Sequence, residues 1–447
     1  MYYLDYFFSG WLWIVIILSF IRIKWAIALF LAYIFLVPRI NLGIPILGSG
    51  DNFVRLAVLT GFLVNSKQIN NISYKPFIPF IIYFIVLLLI MPFQQGLPFN
   101  KMLGSWFGSF LNVLSLPFIM YNLCATDNTA TRLFRKTIIF CVIVSVAYGL
   151  FLASLGGGLN PYTMLFLSSA DQGMDWAAYY EAAGGGRMFG RISSVFMHPM
   201  LFGLFLGLSL VYLFYIKYSI SRYLWFVLVG LVIVMSIICG VRSVLGGIVF
   251  ATLYYLIMAK NFKFAIYLTI FSVIVYYISI SVPELNTYLG SFAEIEATES
   301  NVRGSSLGMR LNQLYGALKI ASDNPLFGMG YGWTADYITR NGDHPVCLAF
   351  ESLLFVAICN SGLVGVCLWI FVFIKFTRIN TSMKLREVFV VNSLIVFYLS
   401  YSLVTGEFGY MRHFLIFYAL MLGESLRKPS TFGENIRKKL NLIQRHI

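Results

Sequence analysis

The sequence predicts an all-α polytopic membrane protein with about twelve or thirteen transmembrane helices and a large extracytoplasmic loop. Three observations carry this. Of the 447 residues, 59% are hydrophobic and 11% charged, where soluble domains average about 25% charged. The apolar residues fall in runs that approach the roughly 20 needed to cross about 30 Å of hydrocarbon. Those runs are continuous, which excludes the alternating pattern of a membrane barrel and leaves helices as the spanning element.

The runs lie at about 7–21, 25–37, 52–65, 77–92, 103–121, 137–155, 193–216, 224–239, 243–259, 264–282, 361–376, 387–404 and 412–424. A further apolar segment, 346–360, abuts the run at 361–376 and is expected as a half-helix dipping in from the outer side. The first residues carry Asp5, no basic n-region and no small-residue cleavage site, so the first span is expected to be retained. The six cysteines form no CxxC pair and sit in or beside apolar runs, which marks them as small core hydrophobes.

The net charge of +14 would suggest nucleic acid in a soluble chain. Here the bases collect in short loops and in the tail from Arg427 to Arg445, the pattern by which membranes set topology, so no nucleic-acid partner is expected. One alternating set of loops holds Arg22/Lys24, Lys67/Lys75, Arg132/Arg135/Lys136, Lys217/Arg222, Lys260/Lys263 and Lys375 to Arg386. The positive-inside rule makes this set cytoplasmic, together with the tail, whose bases and spaced Ile and Leu suit a helix resting on anionic headgroups. The other set comprises 38–51, 93–102, 156–192, 283–345 and 405–411, and it carries most of the acids. Thirteen spans place the N-terminus outside as well; if the first two spans are misjudged, it lies inside.

The chain therefore divides into N-terminal helices with an outer loop at 156–192 (1–192), a second helical group (193–282), the large outer loop (283–360), C-terminal helices (361–424) and a basic cytoplasmic tail (425–447). No internal repeat of the transporter kind is evident in it.

The residues that carry chemistry gather on the outer side. Arg187 and Arg191 precede the span at 193–216, and Arg242 lies in CGVRSVLGG, the tight outer turn between two spans. An arginine near hydrocarbon costs roughly 2.5–3.5 kcal/mol at the bilayer centre, so it has a partner or a task. Topology-setting arginines belong on the cytoplasmic side, whereas these face out, and guanidinium grips phosphate in bidentate fashion. The cluster reads as a diphosphate site at membrane depth. His198, in SSVFMHPMLFG, fits either a packing role or a site role. Glu351, in GDHPVCLAFESLLF, is a carboxylate in apolar surroundings that requires a raised pKa or a cationic partner, which suits a general base or a structural ion pair. His344, seven residues earlier, is the second candidate base. Gly328, Gly330 and Gly332 in FGMGYGW lack a following Lys-Ser/Thr and lie in an outer loop, so they mark tight turns with close backbone approach and not a nucleotide loop.

The stretch SSLGMRLNQLYGALKIASDNPLFGMGYGW, followed by NSGLVGVCLWIF, resembles the outer loop of O-antigen polymerases and O-antigen ligases. SSVFMHPMLFGLFL and GVRSVLGGIVFA resemble the two preceding spans of that superfamily, and the likeness covers about 187–376. The resemblance implies a C-type glycosyltransferase-like fold in the bacterial inner membrane, with its active site facing the periplasm. It implies a metal-independent enzyme without a cofactor, whose donor is a glycan on undecaprenyl pyrophosphate. Arg191 and Arg242 match the span-end arginines that hold the pyrophosphate, and Arg310 matches the arginine of the loop helix. In ligases a histidine often stands about eleven residues before the Gly-Leu-x-Gly turn; here Glu351 takes that place, which favours a polymerase. A ligase acting on lipid A-core is the alternative, and a flippase for lipid-linked units is the alternative of another class. A chain-length regulator and a flippase are the expected protein partners, beside membrane lipid.

Overall fold

The computed structural model describes residues 2–38, 50–65, 72–156, 160–166, 191–260, 277, 307–379, 383, 385–407 and 409–427. Among these the chain is helical, with no strand beyond one isolated bridge between His344 and Leu348. Twelve of the thirteen apolar runs coincide with helices, and the run at 264–282 lies outside the described residues except for Tyr277. The N-terminal group is α1 (Tyr2–Ile21), α2 (Ile23–Leu36), α3 (Gly50–Asn65), α4 (Ile78–Ile90), α5 (Phe99–Thr126) and α6 (Asn128–Ser154). The middle group is α7 (Pro199–Tyr215), α8 (Arg222–Ile238) and α9 (Arg242–Ala259). Two loop helices follow, α10 (Leu307–Ala321) and α11 (Trp333–Asn341), then α12 (Leu353–Ile379), α13 (Leu385–Thr405) and α14 (Met411–Arg427).

The protein is an all-α polytopic membrane protein. Among the described residues, six helical segments are long and apolar enough to cross a membrane by length and composition. Several others are shorter, such as α2 with 14 residues and α7 with 17. At about 1.5 Å per residue these cover less than the full hydrocarbon thickness, which a bilayer meets by local thinning. Long bare rows of exposed Phe, Ile, Leu and Val on α1, α8 and α9 are what a lipid-facing surface requires.

Contacts between loops separate the two faces. On one face Lys24 pairs with Asp127, Arg386 lies over the Tyr218 ring at 4.6 Å, and Arg135 meets Glu424 at 2.6 Å. On the other, Lys101 pairs with Asp336 at 3.1 Å and Asn324 Nδ2 donates to Phe93 O at 2.8 Å. Each of these contacts joins loops of one charge-defined set.

The Arg135–Glu424 pair is mostly buried, with side-chain exposures of 14% and 2%. Removing one partner strands the other charge, which costs about 3–5 kcal/mol, whereas replacing both with apolar residues is close to neutral. Glu424→Ala is therefore expected to lower the thermal midpoint of the detergent-solubilised protein sharply. Adding Arg135→Met to it should restore most of the loss.

The element that organises the face bearing Lys101 and Asp336 is a break in α12. At Gly362 the backbone leaves the helix (φ 59°, ψ −152°), a region open essentially to glycine alone. The break frees carbonyls above and N–H groups below, and the PLFGMGYGW segment (325–333) takes both sets. Met329 N–H donates to Cys359 O (2.8 Å) and Gly330 N–H to Asn360 O (3.2 Å). Leu363 N–H donates to Pro325 O (2.9 Å) and Val364 N–H to Leu326 O (3.1 Å). Gln94, 6% exposed, bonds Phe327 O at 2.5 Å and Asn360 O at 3.0 Å, and accepts from Tyr331 N–H at 3.3 Å. A Cβ on Gly328 would stand 2.6 Å from the Gly362 nitrogen, so the two backbones cross without side chains between them. Gly328, Gly330 and Gly332 all have positive φ, as the tight-turn reading requires. The apolar segment at 346–360 is helical only from Leu353, and it forms the upper half of this broken helix.

Candidate functional site

Glu351 stands at an elbow. The chain leaves α11 at Gly342, and His344 and Leu348 exchange both backbone hydrogen bonds (3.0 and 2.8 Å). Leu348 and Phe350 then adopt φ of 50° and 52°, a left-handed conformation that costs a side-chain-bearing residue roughly 1–2 kcal/mol. Strain of this kind persists only where packing over-determines it, and here the Phe350 side chain is 1% exposed, ringed by Trp333, Tyr337 and His344. Ser352 Oγ accepts from Leu354 N–H at 3.2 Å, capping the first turn of α12. The elbow thus displays Glu351 at the positive end of a helix, where a carboxylate or another anion is favoured.

Arg310 of α10 reaches this elbow. Its guanidinium donates to Glu351 O (2.8 Å), Glu351 Oε2 (3.1 Å) and Gln313 Oε1 (3.0 Å). Glu351 therefore has the cationic partner that its apolar surroundings demand. Burial pulls the Arg310 guanidinium below its ordinary range and the Glu351 charge opposes that. Gln313 is fully buried, and among the described residues its Nε2 has no hydrogen-bond partner.

His344 is held differently. Its Nδ1 accepts from Val346 N–H (3.1 Å) and Cys347 N–H (3.0 Å), so the single proton of the neutral ring belongs on Nε2. In that tautomer the free nitrogen is a donor. Burial lowers the imidazole pKa from its usual value. The folded state thus binds the proton less well than the unfolded chain, and stability contributed by the turn is lost as pH falls through about 6.5 and below. The elbow is expected to loosen on that acid limb, read as faster amide exchange at Val346 and Cys347. His344→Asn, whose side-chain oxygen reproduces the acceptor, should flatten the pH dependence.

The second half of the candidate site lies at the N-terminal ends of α7 and α9. Asn160 ties the stretch carrying Arg191 in place, donating to Ser193 Oγ (2.9 Å) and Ser194 O (2.6 Å), while Ser194 Oγ donates to Ser145 O (2.5 Å). Arg191 is half-buried, its Nε has no hydrogen-bond partner among the described residues, and its charge acts on His198. His198 caps α7, its Nδ1 accepting from Met200 N–H at 3.2 Å. Arg242 is the first residue of α9, half-buried, after the Gly240 turn. Arg187 lies outside the described residues.

Two tyrosines bridge the halves, and sequence reasoning passed over both. Tyr401 donates to Met200 O at 2.5 Å and hydrogen-bonds Ser243, next to Arg242. Its ring lies 6.1 Å from that of Tyr410, on which the charges of Glu407 and Glu351 both act. Burial and those two carboxylates push the Tyr410 phenol up. Glu407 is itself held by the Tyr398 hydroxyl and by Met411 N–H (3.1 Å), and burial raises its carboxyl. The signal was an acid among glycines in the short outer turn TGEFGYMR.

Residues 228–370 match a family model described as O-antigen ligase. No curated protein matches the chain. The matched third runs from α8 into α12 and contains Arg242, Arg310, His344 and Glu351, while Arg191 and His198 precede it. Over these residues the chain is similar to the O-antigen ligase family, in keeping with the resemblance its sequence shows to O-antigen polymerases and ligases.

Proposed function

We propose that this protein polymerises undecaprenyl-pyrophosphate-linked oligosaccharide repeat units on the periplasmic face of the bacterial inner membrane. The observation that supports this most is the strained elbow that presents Glu351, paired with Arg310, at the N-terminal end of the broken helix. In the reaction an acceptor hydroxyl oxygen bonds to the anomeric carbon of the donor chain, and the carbon–oxygen bond to the pyrophosphate breaks. Glu351 takes the hydroxyl proton. It is preferred over His344 because the Nε2 of that imidazole is already a donor. Arg191 and Arg242 hold the leaving pyrophosphate, because negative charge grows there as the bond breaks and fixed cations stabilise it most. No metal is required for these steps. A chain-length regulator and the flippase that delivers the units are its partners.

The second reading is a ligase that moves finished chain to lipid A-core, since the matching family is described as O-antigen ligase. Deleting the gene and resolving the glycolipid on a gel separates the two. Core bearing a single repeat is the polymerase result. Bare core with polymer accumulating on undecaprenyl is the ligase result. Repeat units trapped on the cytoplasmic face would contradict both.

A further inference from the structure

The rings around Phe350 do more than seal the elbow. Trp333 and Tyr337 on α11 lie 5.2 Å apart, Tyr337 and His344 lie 5.3 Å apart, and all three rings remain partly exposed. Several tryptophans and tyrosines of the core spend their polar ends internally. Trp106 Nε1 donates to Phe84 O, Trp225 Nε1 to Leu213 O and Tyr401 to Met200 O. Among the described residues, the Trp333 indole N–H and the Tyr337 hydroxyl have no such acceptor, and the His344 Nε2–H is a third open donor. Asp336, flanked by Lys101 at 3.1 Å and by Arg340, stands on the same helix as the two aromatic residues. The next residue after Phe350, round which these rings pack, is Glu351, the proposed base.

Half-exposed rings with open donors beside a carboxylate match the chemistry of a pyranose, which offers C–H faces for stacking and hydroxyls for hydrogen bonds. A belt of interfacial aromatics would share the exposure. It would not need three rings organised round one buried phenylalanine, with α11 locked to the helix break by Thr334 N–H donating to Asn360 Oδ1 at 2.9 Å. We propose that Trp333, Tyr337 and His344 form a ledge that binds the saccharide of the acceptor unit and leads its reacting hydroxyl to Glu351. This rests on the polymerase reading.

The test uses the full chain in lipid nanodiscs. The probe is the repeat-unit oligosaccharide released by mild acid from the producing strain's own surface polysaccharide, bearing neither lipid nor phosphate. Saturation-transfer NMR should show the probe bound to the wild type. Tyr337→Ala and Trp333→Ala should each weaken it by roughly tenfold, the loss of one stacking contact. Tyr337→Phe, which keeps the ring and the packing, should weaken it less. With lipid-linked units, Tyr337→Ala should raise KM and largely spare kcat, whereas a merely structural role would lower the thermal midpoint and kcat together. Absence of probe binding by the wild type overturns the ledge, as does unchanged binding in folded Ala variants or a change confined to vesicle partitioning. If the ledge variants lose the probe but the wild type makes no polymer, the ledge stands and the polymerase reading falls. If polymer forms and probe binding ignores the ledge, the reverse holds.

Discussion

Glu351→Gln is expected to lower polymer formation about a thousandfold while leaving the amount of membrane-inserted protein unchanged. The substitution keeps the shape at the elbow and the hydrogen bond from Arg310, but removes the negative charge that takes the proton. Arg310→Ala should cost nearly as much, and the double variant little more, because the pair acts as one unit. His344→Asn retains the turn and should lose roughly tenfold, the cost of one sugar contact. If His344→Asn is instead the silent enzyme and Glu351→Gln is active, the base has been assigned to the wrong end of the elbow. Arg191→Ala and Arg242→Ala are expected to lose about a hundredfold or more each, the scale for removing a charge stabiliser from a transition state.

The second large effect concerns folding. Gly362→Ala places a Cβ 2.6 Å from Pro325 O at a backbone conformation that alanine avoids. Strain alone costs about 1–3 kcal/mol, and relief by straightening α12 would break the four backbone bonds to the PLFGMGYGW segment, at about 1 kcal/mol each. The expected result is poorly folded protein, read as loss of a monodisperse peak and a lowered thermal midpoint. A neighbouring lipid-facing change such as Leu363→Ala, at a side chain 57% exposed, should be tolerated. A well-behaved Gly362→Ala protein would show that the crossing is not required.

How much of this was legible in the sequence follows from what periodicity and composition encode. Long apolar runs fix helices in a bilayer, so all the runs that fall on described residues are helical. Basic residues report the two faces, and the contacts Lys24–Asp127 and Lys101–Asp336 respect that division. The glycines of FGMGYGW announced close backbone approach. What they approach was not readable, because the partner is a break more than thirty residues later in a helix whose own pattern is uninterrupted. The pairing of Glu351 with Arg310 was open for the same reason: forty-one residues separate them, and only the fold brings a loop helix to the elbow. Tyr401 and Tyr410 look like ordinary interfacial aromatics in sequence. Their bridging role depends on the packing of α9 against α13. The left-handed backbone at Leu348 and Phe350 has no sequence signal, since neither residue favours it.

Polymer synthesis by the purified protein is the most direct test of the proposed function. Reconstituted in liposomes with undecaprenyl-pyrophosphate-linked repeat units, a chelator present and no other protein, it should produce a ladder of longer chains. Each new linkage should release one undecaprenyl pyrophosphate, and the Glu351→Gln protein should leave the units single. Units that remain single with the wild type, or that move only when lipid A-core is added, would contradict a polymerase.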